Sequence, residues 1–257
     1  MQKVIYFSDE LTDEFSSVKI EPKKIDGNYE YLKRGVFKSA LSFFLYRIIF
    51  TPFSYLFLKI RYAHKIIGRE KIKNIKGGYF VYGNHTSAAA DPFVPSFAFF
   101  PKNVKVICNP ENVSMAVLGK INEYIGALPL PSDINATKNF IGAIDDCVKR
   151  KNAICVYPEA HIWPYYTKIR NFKDASFRYP VNANVPVFTF TNVWKKRKIF
   201  KTPALATYID GPFYPDETLP APLAKKELRN KAYAAMTKRS ELSDYDGIIY
   251  KKKENEQ

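Results

Sequence analysis

Tyr79-Phe80-Val81-Tyr82-Gly83-Asn84-His85-Thr86-Ser87-Ala88-Ala89-Ala90-Asp91-Pro92 is the stretch from which the fold of this chain is read. After the Gly77-Gly78 pair, a short run of aromatic and β-branched residues reads as a buried strand. It breaks into a turn of small residues that carries a His and an Asp. Asp91-Pro92 then has the pattern of a helix start, Asp as N-cap and Pro as first helical residue. Strand end, tight turn and helix start together are the place where α/β proteins put their chemistry.

Working outward, the same alternation continues. Strands are expected at 64–67, 78–82, 104–108, 153–157, 185–192 and 204–209. Helices are expected at 93–100, 113–125, 135–149, 175–183 and 223–238. Phe140, Ile144 and Val148 at i, i+4 and i+8 mark the core face of the third helix. Strands alternating with helices imply an α/β fold with a single, mainly parallel twisted sheet flanked by helices. Four regions follow: a polar N-terminal arm (1–31) with a short strand near 4–7, an apolar helical segment (32–61), the α/β domain (62–240) and a charged C-terminal tail (241–257).

Residues 40–60 carry only two charges, Arg47 and Lys59. The length suits a membrane span, but Arg47 lies in its first half and Pro52 should bend it. Arg47, Thr51 and Ser54 would form a narrow polar stripe on an otherwise apolar helix. The leading expectation is an interfacial helix, or two helices bent at Pro52, lying at the headgroup level. A full span and a plain core helix are the alternatives.

The chain has 257 residues and a net charge of +15, and aromatic residues make up 16%. Such a basic excess favours an anionic partner, whether membrane surface, nucleic acid or phosphorylated substrate. No nucleic-acid module with stacking aromatics is recognisable. Three cysteines without C-x-x-C spacing and three histidines argue against a metal site and fit a reducing compartment. Residues 1–30 contain no apolar h-region, so no secretory signal is expected. No G-x-S-x-G elbow, Walker A sequence or G-x-G-x-x-G is present.

Four clusters could bear chemistry. His85 and Asp91 could pair as base and orienting carboxylate. On a regular helix, six positions apart, they would lie about 240° round the axis, so they meet only if 86–90 turns. The plainer reading is a turn histidine beside a helix cap. Glu159 follows an apolar strand and could bind substrate hydroxyls, or be a surface carboxylate. Lys168, Arg170 and Lys173 precede a helix and could hold a phosphate, or be a solvated face. Lys195-Lys196-Arg197-Lys198 could touch anionic lipid, or be a solvated connection.

Asn84 to Asp91, Tyr157-Pro158-Glu159, Phe172-Lys173 with Ala175, and Val185-Pro186-Val187, in that order, resemble the lysophospholipid acyltransferase family of 1-acylglycerol-3-phosphate acyltransferases. The resemblance covers roughly residues 62–212. It implies His85 as general base, Asp91 as its orienting partner, Asn84 and Glu159 at the substrate, and Lys173, with Lys168 and Arg170, at its phosphate. It implies acyl transfer from acyl-CoA or acyl-carrier protein to a lysophospholipid hydroxyl, with the thioester as co-substrate and no further cofactor. It also implies an anionic membrane surface as partner, and a peripheral or monotopic place on the cytoplasmic side. Three departures stand out. Five residues separate His85 from Asp91 where the family has four. Pro158-Glu159-Ala160-His161-Ile162 replaces Pro-Glu-Gly-Thr-Arg. Gly126 to Pro131 lacks the family's late Arg. A catalytically silent lipid-binding module of the same fold is the alternative reading.

Overall fold

The computed structural model describes residues 2–15 and 20–253. Residues 1, 16–19 and 254–257, which belong to the expected arm and tail, lie outside them.

A seven-stranded sheet forms the centre. Its strands are β2 (Lys65–Ile67), β3 (Tyr79–Gly83), β4 (Val104–Cys108), β5 (Ala127–Pro129), β6 (Ala153–Val156), β7 (Val187–Lys195) and β8 (Ala204–Phe213), in the order β2-β8-β7-β3-β6-β4-β5. Every pairing is parallel except the β7–β8 hairpin. A separate parallel pair joins β1 (Lys3–Phe7) to β9 (Ile248–Lys252).

β3 is buried at every position because helices cover both faces. Its side chains alternate. Phe80 and Tyr82 join Ile154, Val156 and Val187 under α6 (Ile134–Lys149) and α8 (Ala221–Ser240). Tyr79 and Val81 join Cys155, Phe188 and Phe190 on the other face. There they meet α2 (Thr51–Tyr62) and α3 (Val94–Ala98). Each fully buried large apolar side chain contributes about 1.5–3 kcal/mol. β3 ends at Gly83, where any Cβ would lie 2.2 Å from the Phe190 ring. With Tyr82 level with Val156 and Thr189, the loops after β3 and β6 leave the sheet at one edge.

The segment Val36–Tyr62 is one continuous helical run of 27 residues, long and apolar enough to cross a membrane. Pro52 does not break it into two helices as expected. It sits inside the run, at the junction of the Phe44–Phe50 segment and α2, where the wider geometry of that segment accommodates its missing N–H. The preceding Phe44–Phe50 adopts a wider π geometry, after α1 (Val36–Phe43). Side-chain hydroxyls take up carbonyls there: Thr51 Oγ1 donates to Tyr46 O at 2.8 Å and Ser54 Oγ to Phe50 O at 2.7 Å.

The helix is inside out by the rule for soluble proteins. Its polar stripe faces the domain: Thr51 and Ser54 are buried, Ser96 Oγ lies 3.2 Å from Ser54 Oγ, and Arg47 donates to Pro101 O. Large apolar side chains face outward instead, among them Phe37 at 90%, Phe43 at 61% and Ile60 at 79% exposure.

Two other expectations change. The helix foreseen at 113–125 is two, α4 (Glu111–Ser114) and α5 (Ala116–Ile125), because Met115 is extended between them. The polar arm, expected to be extended, and the charged tail are both tied into the fold. Ile25 and Tyr31 enter the core, and β1 and β9 pair with each other. The remaining helix, α7 (Arg178–Ala183), follows a short 3₁₀ turn at Ala175–Phe177.

Candidate active site

His85 and Asp91 meet at the sheet edge. His85 Nδ1 lies 2.8 Å from Asp91 Oδ2. A carboxylate only accepts, so Nδ1 carries the proton and Nε2 presents a lone pair. Nε2 has no hydrogen-bond partner among the described residues. The Asp91 side chain is 1% exposed and that of His85 18%, so the imidazole reaches solvent while the carboxylate does not.

The five-residue interval is absorbed by a turn. Ala90 and Asp91 N–H both donate to Ser87 O, and Ala90 N also to Ser87 Oγ. This swings Asp91 back over the strand end. Its Oδ2 also accepts Thr86 N and Ser87 N, each at 2.9 Å. Asp91 therefore caps the His85 loop and not the following helix, which starts only at Val94 and takes no side-chain cap. The Tyr157 ring stacks on the imidazole, centroids 4.4 Å apart, and its hydroxyl donates to Asp91 O at 2.6 Å.

Asn84, Glu159 and Arg170, expected at the substrate, are buried supports of the loop. Asn84 is 1% exposed, and its amide pairs in both directions with the Asn192 backbone, at 2.9 and 2.7 Å. Glu159 is 4% exposed, and its Oε2 accepts the His85 N–H at 2.9 Å. Its other oxygen accepts Arg170 N at 2.9 Å, and the Arg170 guanidinium closes the pair at 3.3 Å. Burial pushes the Glu159 carboxyl up, and Arg170 and the two N–H donors pull it back. Arg170 is fully buried, donates to His161 O and Glu10 O, and lies over Trp163. It has no surface left for a phosphate. Lys168 and Lys173 are exposed. Neither makes a hydrogen bond or ion pair among the described residues.

Three residues not singled out from the sequence continue the dyad inward. Asn192 Nδ2 donates to Asp91 Oδ1 at 3.2 Å. Thr207 Oγ1 donates to Asn192 Oδ1 at 2.7 Å. With its one proton committed, Thr207 accepts from His64 Nε2 at 2.8 Å. His64 is fully buried, and desolvation lowers its pKa to about 3, so it stays neutral. Asn192 and Thr207 face each other across the β7–β8 ladder. In the sequence they are two polar residues among several in these strands, beside Thr189, Thr191 and Asp210, so nothing singles them out.

The small β1–β9 sheet braces the loop from behind. Tyr250 stacks on Trp163 at 5.0 Å, Trp163 Nε1 donates to Asp13 O, and Trp163 N donates to His85 O at 3.1 Å. No cluster of metal-ligating side chains occurs among the described residues.

Among solved structures, the fold is similar to the 1-acyl-sn-glycerophosphate (LPA) acyltransferase PlsC from Thermotoga maritima. The TM-score is 0.55 at 16% identity, over 79% of this chain and 80% of that one. No curated protein sequence matches. The family model described as Acyltransferase matches residues 63–192, half of the chain, from the residue before His64 to Asn192. The chain belongs to this acyltransferase family.

Proposed function

We propose that the protein moves a fatty acyl group from an acyl thioester, acyl-CoA or acyl-carrier protein, to the free hydroxyl of a lysophospholipid, most favourably 1-acylglycerol-3-phosphate. The observation that carries this reading is the His85–Asp91 contact with Nε2 left open.

His85 Nε2 takes the proton of the acceptor hydroxyl as its oxygen attacks the thioester carbonyl carbon. The new C–O bond forms and the C–S bond breaks. The imidazolium returns the proton to the departing thiolate. No acyl-enzyme is required, since the acceptor itself is the nucleophile. Asp91 holds the Nδ1–H tautomer and stabilises the transient imidazolium. Glu159 fixes the His85 backbone and Tyr157 fixes the ring plane. With Arg170 spent on Glu159, the exposed Lys168 and Lys173 are the cations offered to the acceptor phosphate. A protein named for acting on 1-acyl-sn-glycerophosphate shares the fold, which favours that acceptor.

The outward apolar face of Val36–Tyr62 would rest on the membrane that supplies the substrate. We place the enzyme on the cytoplasmic face, as a monotopic protein. Packing of Tyr46, Thr51, Ser54, Leu58 and Tyr62 against the domain leaves only one side of the helix for lipid.

The test gives purified enzyme one acyl-CoA and a panel of lysophospholipids, with products read by mass spectrometry. Transfer to 1-acylglycerol-3-phosphate is expected, and His85→Ala should lower turnover on the order of 10²–10⁴-fold. Equal turnover by the variant removes His85 as base. Membrane binding without transfer to any acceptor would favour the silent-module reading.

A further inference from the structure

The β7–β8 hairpin ends in Lys195-Lys196-Arg197-Lys198-Ile199-Phe200-Lys201. Nothing in the chemistry above uses it. Two large apolar side chains stand out from its tip, Ile199 at 89% and Phe200 at 60% exposure. Five cations accompany them within the seven residues. Lys195 and Lys196 are offset by Asp244 and Asp246. Lys198 and Lys201 are exposed and have no acidic partner among the described residues. Arg197 covers one face of Phe200, its guanidinium carbon 4.0 Å from the ring centroid.

The tip is joined to the apolar helix. Arg197 Nη1 donates to Arg61 O at 3.4 Å, at the C-terminal end of α2. The Trp194 ring at the hairpin base packs on Tyr62 at 5.6 Å. The helix end carries its own exposed trio of Lys59, Ile60 and Arg61. Apolar side chains ringed by unneutralised cations, continuous with an apolar helix face, match one partner chemically: a bilayer whose headgroups are anionic. Acyl chains accept Ile199 and Phe200, and phosphates meet Lys198 and Lys201. A soluble acidic macromolecule would satisfy the cations but leave two apolar side chains in water.

We propose that this hairpin tip is a second membrane contact, inserting Ile199 and Phe200 into an anionic leaflet and setting the rotation of the domain about the Val36–Tyr62 helix. The proposal rests on the membrane reading of that helix, and the test separates the two. Trp163 and Trp194 are fully buried, so a tryptophan introduced at the tip would be the one lipid-accessible emitter. The full chain would carry Phe200→Trp, and a second variant Ile48→Trp would report the helix. Each is mixed with phosphatidylcholine vesicles containing brominated acyl chains, with and without phosphatidylglycerol. The expected result is quenching of both variants. Quenching at the tip should depend on phosphatidylglycerol and weaken on the order of fivefold for each of Lys198→Gln and Lys201→Gln, about 1 kcal/mol per cation. Quenching of Ile48→Trp without quenching of Phe200→Trp overturns the tip contact alone. No quenching of either overturns the helix reading with it. Quenching at the tip that is equal in neutral vesicles overturns the requirement for anionic lipid.

Discussion

At the scale of single residues, His85 and Asp91 are held by a set of buried neighbours. Asp91 accepts from His85, Thr86, Ser87 and Asn192. The donation runs in one direction, from His64 through Thr207 and Asn192, and fixes the Asn192 amide with its NH₂ toward Asp91. The chain depends on His64 staying neutral, which has a consequence for stability. Burial, with smaller contributions from Lys59 and Arg69, lowers its pKa from 6.5 to about 3. Between those values the unfolded chain binds a proton that the native protein does not. Stability must therefore fall as pH drops through this window, by at most about 1.4 kcal/mol per pH unit. Carboxylates held low by ion pairs, such as Asp210 and Glu123, give the same sign at lower pH. They are common to wild type and variant. Thermal or denaturant unfolding of His64→Gln should thus show a shallower loss from pH 6 to 4.5 than wild type, and identical slopes would contradict a neutral buried His64. The dyad itself was legible because both partners sit in one short loop. Its supports were not. Asn192 and Thr207 come close to Asp91 only through strand pairing, and a sequence shows no distances between strands.

At the scale of elements, the loop after β6 shows what a linear reading misses. Glu159 and Arg170 look like exposed charges in a polar stretch, one for hydroxyls and one for phosphate. In the fold they are a fully buried ion pair beneath the His85 loop. Arg170 Nε is even left without an acceptor, so the guanidinium is committed to this position at some cost. Removing one partner strands the other charge. Arg170→Met should destabilise the protein by about 3–5 kcal/mol, whereas the double variant Arg170→Met with Glu159→Gln should recover part of that loss. Denaturant titration of both measures the difference; a double variant less stable than the single one would show that the pair is not coupled. The strands β3 and β6 were legible because they are buried on both faces and read as continuous apolar runs, and β7 because β-branched and aromatic residues dominate it. β5, three residues long, carries too little pattern. β1 was legible as a short strand near 4–7, but β9, rich in lysine, was not, and a pairing between segments so far apart in the chain shows in the composition of neither.

At the scale of the whole molecule, charge and apolar surface call for different tests, because they respond to different conditions. The net charge of +15 attracts the chain to anionic surfaces, and salt screens that attraction, with a Debye length of about 3 Å at 1 M. The outward face of Val36–Tyr62 is insensitive to salt. Val36, Phe37, Phe43, Ile48, Phe53, Leu56 and Ile60 are each more than half exposed. Even partial transfer of such side chains at about 1.5–3 kcal/mol for full burial outweighs the ~1 kcal/mol supplied by each cation near the surface. The polar stripe of Thr51 and Ser54 is already satisfied inside the domain, so insertion need not bury an unpaired polar group. High salt should therefore slow the approach to vesicles and weaken the hairpin contact, yet leave most of the protein bound. The paired substitution Phe43→Asp and Ile48→Asp should release it even at low salt while leaving the helical content of the circular dichroism spectrum unchanged, because both side chains are more than half exposed. Vesicle flotation at about 0.05 and 1 M salt reads both outcomes. Full release of wild type at high salt would mean that charge, and not this helix, holds the protein to lipid.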